Sequence, residues 1–253
     1  MVFGINEVLK NRKAYFNWRL ERIKNIEKRF PEIFDVKNKK VLDVGCGPEA
    51  PLAYYLSKIK KAKVYAGEIN SVTINSAKRF AKNVKISKFY AEKIPFKDNE
   101  FDIVYLFDIL EHVNDPTLAI KEAKRVVKKG GLIFLDFSPY YAYPTGHHLY
   151  SLGFPFGFLP FQLIPKNIVK WIIFNSKVKI KDSPKFIFNQ FATLNKLSIK
   201  KFKGIVKKLE LKLKDEYSLI ILPHEEINLR IFGNIPLLNE VITQNYSCIV
   251  EKN

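Results

Sequence analysis

A tight glycine turn early in the chain has the residue types that bind a nucleotide. An apolar strand interrupted only by Asp43 leads into Gly45, Cys46 and Gly47. Glycines let the backbone approach a ligand where a side chain would clash. Glu68 follows Gly47 by 21 residues at the end of a second predicted strand, where its carboxylate can accept both hydroxyls of a ribose. This spacing predicts a site for a cofactor that contains a nucleoside.

Asp43 separates two classes of cofactor that share this geometry. Gly45, Gly47 and Ala50 also fit a permissive pattern for NAD. However, the strand before an NAD-binding turn is usually apolar, whereas here a carboxylate stands two residues before the first glycine. This carboxylate can meet a cationic amino-acid group, which S-adenosylmethionine has and NAD lacks. S-adenosylmethionine is therefore the favoured cofactor, and an Asp43 that only caps the turn is the alternative.

The elements around this turn alternate between strands and helices, which predicts an α/β fold with a parallel sheet and helices on both faces. Predicted strands cover 41–44, 63–66, 84–90, 101–107 and 132–137, and predicted helices cover 5–30, 51–59, 72–82 and 116–127. Residues 128–131, Lys-Lys-Gly-Gly, are expected to end the last of these helices with a left-handed cap. Residues 211–222 and 246–251 are predicted to form an antiparallel pair that ends the sheet.

Four passages in this region resemble the class I S-adenosylmethionine-dependent methyltransferases, in the subgroup that includes enzymes of ubiquinone and menaquinone biosynthesis. The passages are VLDVGCG (41–47), VYAGEI (64–69), AEKIPFKDNEFDIVYLFDILEHV (91–113) and AIKEAKRVVKKGGLIFLDF (119–137). The resemblance covers about residues 40–139. It implies a Rossmann-like class I methyltransferase fold, with a doubly wound, mostly parallel sheet, a C-terminal antiparallel strand and S-adenosyl-L-methionine as the cofactor.

The resemblance also implies roles for single residues. The cofactor-binding set comprises Asp43, Gly45, Cys46, Gly47, Glu68, Ile69, Ala91, Glu92 and Phe107. The first four surround the methionine part, the Glu68 carboxylate takes the ribose, and Ile69 packs on the adenine. Ala91 and Glu92 flank the base, and Phe107 begins the loop under the sulfonium.

The sequence departs from the family pattern at three positions of this site, and one of them, Pro48, stiffens the turn, which is tolerated in relatives. Glu49 stands where the family commonly has a third glycine, which is expected to constrict or reorient the turn. Tyr90 stands where the family has an aspartate beside the adenine amino group, so Glu92 or a backbone group is expected to replace that contact.

The candidate catalytic residues are histidines, because transfer of a methyl group to a hydroxyl requires a base. His112 follows the fourth strand, and His147 and His148 follow Gly146 in the segment after the fifth strand. We predict a general base among these three, with surface or packing roles as the alternatives. No metal is expected, because the sequence shows no convincing set of further ligands. His224 is interpreted as structural.

The segment after the fifth strand predicts how the acceptor is bound. Residues 138–175 contain ten aromatic residues, and Lys166 and Lys170 are their only charged residues. We expect residues 140–174 to form an aromatic lid over an acceptor pocket, with filling of the core as the alternative. The next segment, 176–214, contains 12 lysines and arginines against 2 acidic residues. This order favours a small-molecule or lipid acceptor with peripheral membrane contact over an RNA, in which basic and aromatic residues would be interleaved.

The whole chain of 253 residues is interpreted as one methyltransferase domain. Its parts are an N-terminal helix at 1–38, the cofactor-binding core at 39–139, the lid and acceptor insertion at 140–195, and a C-terminal helix with antiparallel strands at 196–253. The net charge of +18, mostly from lysine, is also typical of a thermophile. With two cysteines and no apparent signal or membrane segment, a cytoplasmic location is expected, with membrane contact left open. An RNA methyltransferase and a non-catalytic module that retains the fold are the alternative functions, and the oligomeric state is left open.

Overall fold

The computed structural model describes residues 12–143, 146, 148–149, 152, 159–175, 183–221, 226–227 and 240–253. The strands are β1 (Lys40–Val44), β2 (Lys63–Glu68), β3 (Lys85–Lys88), β4 (Phe101–Phe107), β5 (Val127–Phe137), β6 (Leu211–Ile221), β7 (Glu226–Ile227) and β8 (Asn245–Lys252). These eight strands of the described chain form one sheet in the order β3-β2-β1-β4-β5-β8-β6-β7.

The sheet is parallel at its centre and antiparallel at one side. β1 pairs in parallel with β2 and β4, β2 pairs with β3, and β4 pairs with β5. β8 runs antiparallel to both of its neighbours, β5 and β6. The predicted mostly parallel sheet with a C-terminal antiparallel strand is therefore confirmed. The parallel strands β1, β2, β4 and β5 end at one side of the sheet, which we call the carboxyl edge.

Helices cover both faces of this sheet. They are α1 (Arg12–Arg29), α2 (Pro51–Tyr54), α3 (Ser71–Phe80), α4 (Pro116–Val126), α5 (Lys166–Asn175), α6 (Pro184–Ala192) and α7 (Ile199–Lys208). α2 continues directly into a π-helical turn, Tyr55–Ile59, so the predicted helix at 51–59 has two geometries. Side chains cap the N-termini of α3 and α4. Asn70 Oδ1 accepts from the Val72 N–H at the start of α3, and Asp115 Oδ1 accepts from the Thr117 N–H at the start of α4.

Alternation along the strands produces two cores, one on each face of the sheet. Leu42 and Val104 point into the core that contains α4 and α7, whereas Val41 and Ile103 point into the core that contains α1 and α2. Because consecutive residues of β1 and β4 are buried on opposite faces, the strands are apolar apart from Lys40, Asp43 and Asp102. This burial explains why the sequence shows continuous apolar runs and not the alternation of a half-exposed sheet.

The end of α4 differs from the prediction. The C-cap residue, Val127, is extended (φ −76°, ψ 145°) and already belongs to β5, so the predicted left-handed cap of α4 is wrong. Gly130 does have a positive φ of +69°, but it lies inside β5. There the pairing with β4 shifts register between Phe101 and Ile103. Gly130 and Gly131 therefore accommodate a bulge in the long strand β5.

The insertion between β5 and α7 has a small core of its own. Buried apolar residues of its described part pack together: Leu149, Leu152, Phe161, Val169, Ile173, Ile187 and Phe191. The insertion contains helix α5, and α6 packs beside it. None of the described helices combines the length and the apolar character that a membrane span requires.

Candidate functional site

The glycine turn after β1 has the backbone geometry that the sequence predicts. Gly45 and Gly47 have positive φ angles of +76° and +71°, a region that favours glycine. The N–H groups of Gly45 and Cys46 both donate to the Gly67 carbonyl at the end of β2, at 2.9 and 3.0 Å. A Cβ atom on Gly45 would lie 2.3 Å from Ile109 Cγ2, so a side chain there would clash. Around Gly47 the corresponding space is open, which leaves room for a ligand beside the turn.

Glu68 lies next to this turn although it is distant in the sequence. Its Oε2 accepts from the Gly47 N–H at 3.3 Å, and its Oε1 accepts from the Ile69 N–H at 2.7 Å. Ile69 is about half exposed beside it. The structure therefore brings Gly47, Glu68 and Ile69 together at the carboxyl edge, and their binding of ribose and adenine stays a prediction.

Asp43 is a buried acid whose hydrogen-bonding capacity is only partly used. Its side chain lies in β1 below the turn, and its Oδ2 has no hydrogen-bond partner within the described chain. Burial raises the pKa of Asp43 to about 7, with Arg19 and the Ala53 N–H opposing the shift and Glu68 adding to it. A carboxylate in these surroundings is stabilised by a cation, such as the ammonium group of an amino-acid tail.

Two arginines of α1 contact the same edge and were missed by the sequence analysis. The guanidinium carbons of Arg19 and Arg22 each lie 4.7 Å from the centroid of the buried Phe107 ring. Both arginines pair with Asp108, and Arg22 also pairs with Asp136 at 2.6 Å. Burial would raise the pKa of Asp108, but Arg22 and Arg19 together hold it below its usual range. α1 therefore closes over the ends of β4 and β5, where Phe107 was predicted to begin the loop under a sulfonium.

The residues at the predicted adenine site differ in their exposure and contacts. Ala91 is buried, whereas Tyr90 is exposed. The Glu92 carboxylate accepts from the Asn114 N–H at 2.8 Å and the Asp115 N–H at 3.4 Å. It thus holds the loop before α4, and its contact with the adenine stays a prediction.

The histidines fall into two groups. His112 and His148 lie together, with ring centroids 5.0 Å apart. His147 and His224 lie outside the described residues, so their predicted roles stay predictions. Asn195 fixes the His112 loop, because its Nδ2 donates to the carbonyls of Leu110 and Val113 at 2.6 and 2.8 Å. The structure thus brings His112, which follows β4, next to His148 of the insertion.

Glu111 belongs to this histidine cluster and was not singled out from the sequence. It is buried, and its Oε1 accepts from the Ser138 N–H at 3.1 Å. Burial, and then the charge of Asp108, raise the pKa of Glu111. One carboxylate oxygen of Glu111 and one imidazole nitrogen from each of His112 and His148 are close enough to one another to hold a metal ion.

Comparisons with known proteins agree with this arrangement. The family described as a methyltransferase domain matches residues 42–135. A demethylmenaquinone methyltransferase of Staphylococcus saprophyticus is 31% identical over 206 residues, which cover 76% of this chain and 85% of that protein. A ubiquinone biosynthesis O-methyltransferase of Pelagibacter ubique is 32% identical over 133 residues, 49% of this chain and 55% of that protein. An uncharacterized methyltransferase of Schizosaccharomyces pombe is 30% identical, over 38% of this chain and 39% of its own length.

Solved structures share the fold at low sequence identity. A possible histamine N-methyltransferase of Thermotoga maritima has a TM-score of 0.54 at 17% identity, covering 93% of this chain and 99% of that one. A putative sarcosine dimethylglycine methyltransferase of Galdieria sulphuraria has a TM-score of 0.56 at 15% identity, covering 96% of this chain and 88% of that one.

The fold and the glycine turn with its distal acid define a Rossmann-like, nucleoside-binding α/β protein. With the sequence relatives, the assignment becomes more specific: the chain belongs to the class I S-adenosylmethionine-dependent methyltransferases. The predicted fold, enzyme class and cofactor are thereby confirmed, whereas the roles of individual residues in binding stay predictions.

Proposed function

We propose that this protein transfers the methyl group of S-adenosylmethionine to a hydroxyl of an apolar, quinone-like acceptor at an anionic membrane surface. The observation that carries the proposal is an exposed apolar surface on the insertion, which we call the α5–α6 patch. It comprises Leu163, Ile168, Trp171, Phe174 and Phe186. The names of two relatives, a demethylmenaquinone methyltransferase and a ubiquinone biosynthesis O-methyltransferase, support the acceptor class.

The α5–α6 patch has the composition of an interfacial membrane-binding surface. Ile168, Trp171 and Phe174 recur every three residues along α5 and therefore share one exposed face. Trp171 is 67% exposed, which is unusual for so large an apolar side chain. The lysines of the same helix, Lys166 and Lys170, are exposed as well. Apolar residues inserted at the headgroup boundary with lysines beside them favour an anionic bilayer.

The cofactor is proposed to lie along the carboxyl edge. The methionine part would occupy the glycine turn above Asp43, and the ribose would replace backbone contacts of the Glu68 carboxylate. Arg19, which already approaches Asp43, is available to the carboxylate of the amino-acid tail. This placement directs the sulfonium toward the loop that follows Phe107.

Methyl transfer then requires an acceptor oxygen in line with the sulfur–methyl bond. The oxygen forms a bond to the methyl carbon, the carbon–sulfur bond breaks, and its electron pair remains on the neutral sulfur of S-adenosylhomocysteine. Alignment of the two reactants contributes about 7–11 kcal/mol at best. The hydroxyl proton must leave, and His112 and His148 lie on the loops beside this position. Desolvation lowers the pKa of His112, with Asp108 opposing, so a proton-accepting neutral ring is favoured at neutral pH.

The acceptor class can be tested with labelled cofactor and fractionated extracts. Methyl-labelled S-adenosylmethionine and the full chain are incubated with separate lipid, RNA and protein fractions, and the label is counted in each. We expect label in the lipid fraction, in a product that organic solvent extracts. Label that enters RNA instead would contradict the proposed acceptor and support the alternative of an RNA methyltransferase.

Membrane contact can be tested by sedimentation with vesicles of phosphatidylcholine, alone or mixed with phosphatidylglycerol. The full chain should bind the anionic vesicles, and the Trp171→Ser variant should bind about tenfold or more weakly, because a fully inserted large apolar side chain contributes about 1.5–3 kcal/mol. Val72→Ser is the matched control, since Val72 is 79% exposed on α3, outside the patch. Equal binding of all three proteins would contradict the membrane-facing role of α5.

A further inference from the structure

Glu111, His112 and His148 form a cluster of metal-ligating side chains at the acceptor end of the site. Each offers one ligand atom, and these three atoms all lie within 4.8 Å of one another. Glu111 is buried, His148 is partly buried, and His112 is the most accessible of the three. Two neighbouring residues of the loop after β4 thus converge with one residue from a segment more than thirty positions later.

The Glu111 carboxylate supplies an independent indication that a ligand belongs here. Only 4% of the residue is exposed, yet its Oε2 has no hydrogen-bond partner within the described chain. Its other oxygen, Oε1, accepts from the Ser138 N–H. A buried carboxylate oxygen without a partner is unfavourable, and native structures seldom retain one unless a water, an ion or a functional role accounts for it.

The backbone holds this cluster in an unusual conformation. His148 has a positive φ of +58°, a region that non-glycine residues seldom adopt and that is often associated with function. On the other side, the Asn195 N–H donates to the Glu111 carbonyl at 3.1 Å, so the insertion also fixes the loop after β4. The local structure therefore keeps the three side chains together without a ligand.

We propose that Glu111, His112 and His148 bind one divalent transition-metal ion such as Zn²⁺. Two imidazoles and one carboxylate are a ligand set that suits zinc and neighbouring first-row metals. Three protein ligands leave at least one coordination position open, as in catalytic zinc sites.

The proposed ion replaces the expectation from the sequence that no metal is bound. It also replaces the general base that both the sequence analysis and the proposed function assign to the histidines. At this position an acceptor hydroxyl could fill the open coordination site, and the metal would lower its pKa. The oxygen would then release its proton to solvent before it accepts the methyl group. This use of the ion rests on the proposed function, whereas metal binding itself does not.

The experiment measures binding of Co²⁺ to the full chain after chelator treatment, by visible absorption and by calorimetry. We expect one ion per chain, with the d–d absorption of a low-symmetry nitrogen and oxygen site. His112→Ala and His148→Ala should each weaken binding by about 100-fold or more, a loss at least as large as that caused by removing outer-sphere partners. Glu111→Gln should do the same, and circular dichroism verifies that each variant is folded.

The control is Asp35→Asn, which removes an exposed carboxylate that pairs only with Lys39 among the described residues. It should bind Co²⁺ as the wild type does. A wild-type chain that binds no Co²⁺, or histidine variants that bind it unchanged, would overturn the site. S-adenosylhomocysteine binding is measured on the same samples. Its loss with metal binding intact would count against the proposed function and leave the metal site supported.

Discussion

Arg22 Nη2 lies 2.6 Å from Oδ1 of Asp136, a carboxylate that is fully buried in β5. The same arginine pairs with Asp108 immediately after β4. Arg22 therefore joins α1 to two neighbouring strands at the carboxyl edge. Since Ser247 Oγ also donates to Asp136, the buried carboxylate has partners from both the beginning and the end of the described chain. The position of α1 over the cofactor site is thus set by a charge network and not only by apolar packing.

Arg22→Met should lower the free energy of unfolding by about 3–5 kcal/mol, because it leaves a buried carboxylate without its cation. Urea denaturation followed by circular dichroism measures this change. Lys24→Met is the control: Lys24 pairs with Glu21 at an exposed site, where such a pair contributes about 1 kcal/mol or less. Equal stability of the two variants would show that Arg22 does not anchor α1.

Glu68→Ala should weaken binding of S-adenosylhomocysteine by about 1.5–3 kcal/mol, the contribution of hydrogen bonds from ribose hydroxyls to a charged acceptor. Isothermal titration calorimetry at constant pH measures the affinity. Glu21→Ala, which removes an exposed carboxylate from α1, should bind as the wild type does. An unchanged affinity for Glu68→Ala would mean that the ribose lies elsewhere.

Cofactor affinity should increase with pH up to about 7, because burial raises the pKa of Asp43 to about 7. Arg19 opposes this shift and Glu68 adds to it. A cationic amino-acid tail stabilises the ionised carboxylate, so binding releases a proton wherever Asp43 is protonated in the free protein. Affinity should then fall about tenfold for each pH unit below the pKa. Asp43→Asn should bind with little dependence on pH, and a wild-type affinity that is constant from about pH 5 to 7 would contradict the assignment.

The same carboxyl affects stability in the opposite direction. Its pKa is higher in the folded protein than the value of about 3.9 in an unfolded chain. Its contribution to stability is therefore complete below that unfolded value and decreases as pH rises toward about 7. Asp43→Asn should reduce this decrease in the free energy of unfolding, measured by urea titrations at several pH values without cofactor. A pH dependence identical to that of the wild type would show that Asp43 is not the group responsible.

His148→Ala should reduce methyl transfer by about 10²–10⁴-fold and leave S-adenosylhomocysteine binding intact, because it removes a group that acts on the acceptor. The variant His147→Ala, at the neighbouring position, serves as the comparison. Since His148 contacts His112, we expect His148→Ala to be the more damaging of the two variants. Wild-type rates in both variants would exclude this part of the insertion from the chemistry.

Local motifs made the geometry of the glycine turn and the place of Glu68 beside it predictable from the sequence. The glycines after β1 need positive φ angles, and Glu68 ends the neighbouring strand, so register alone brings its carboxylate to Gly47. Glu92 shows the limit of a motif. Its carboxylate accepts from the backbone N–H of Asn114, and its contact with the adenine stays a prediction. The contact with Asn114 depends on how a loop returns to the sheet, which no local spacing encodes.

The acceptor end was only partly predictable, because its residues come together through tertiary packing. Arg22 lies 86 positions from Asp108 and 114 positions from Asp136. In the sequence of α1, Arg22 looks like one of the many charged residues on the surface of a helix. A signal nevertheless existed: Asp136 is an acid inside the apolar strand β5, and such a residue requires a partner. Glu111 and His112 were adjacent in the sequence, but only the path of the insertion brings His148 to them.

The location of β8 between β5 and β6 has a consequence for synthesis on the ribosome. Asp136 emerges long before Ser247, its neutral partner on β8, so a nascent chain that lacks β8 leaves this carboxylate in contact with water. Hydration weakens the reason for Arg22 to desolvate beside it, so α1 lacks one of the ion pairs that hold it at the carboxyl edge. Helix α1, although synthesised before the sheet, should therefore reach its final position late, and competence for the cofactor should arise only after β8 has been synthesised.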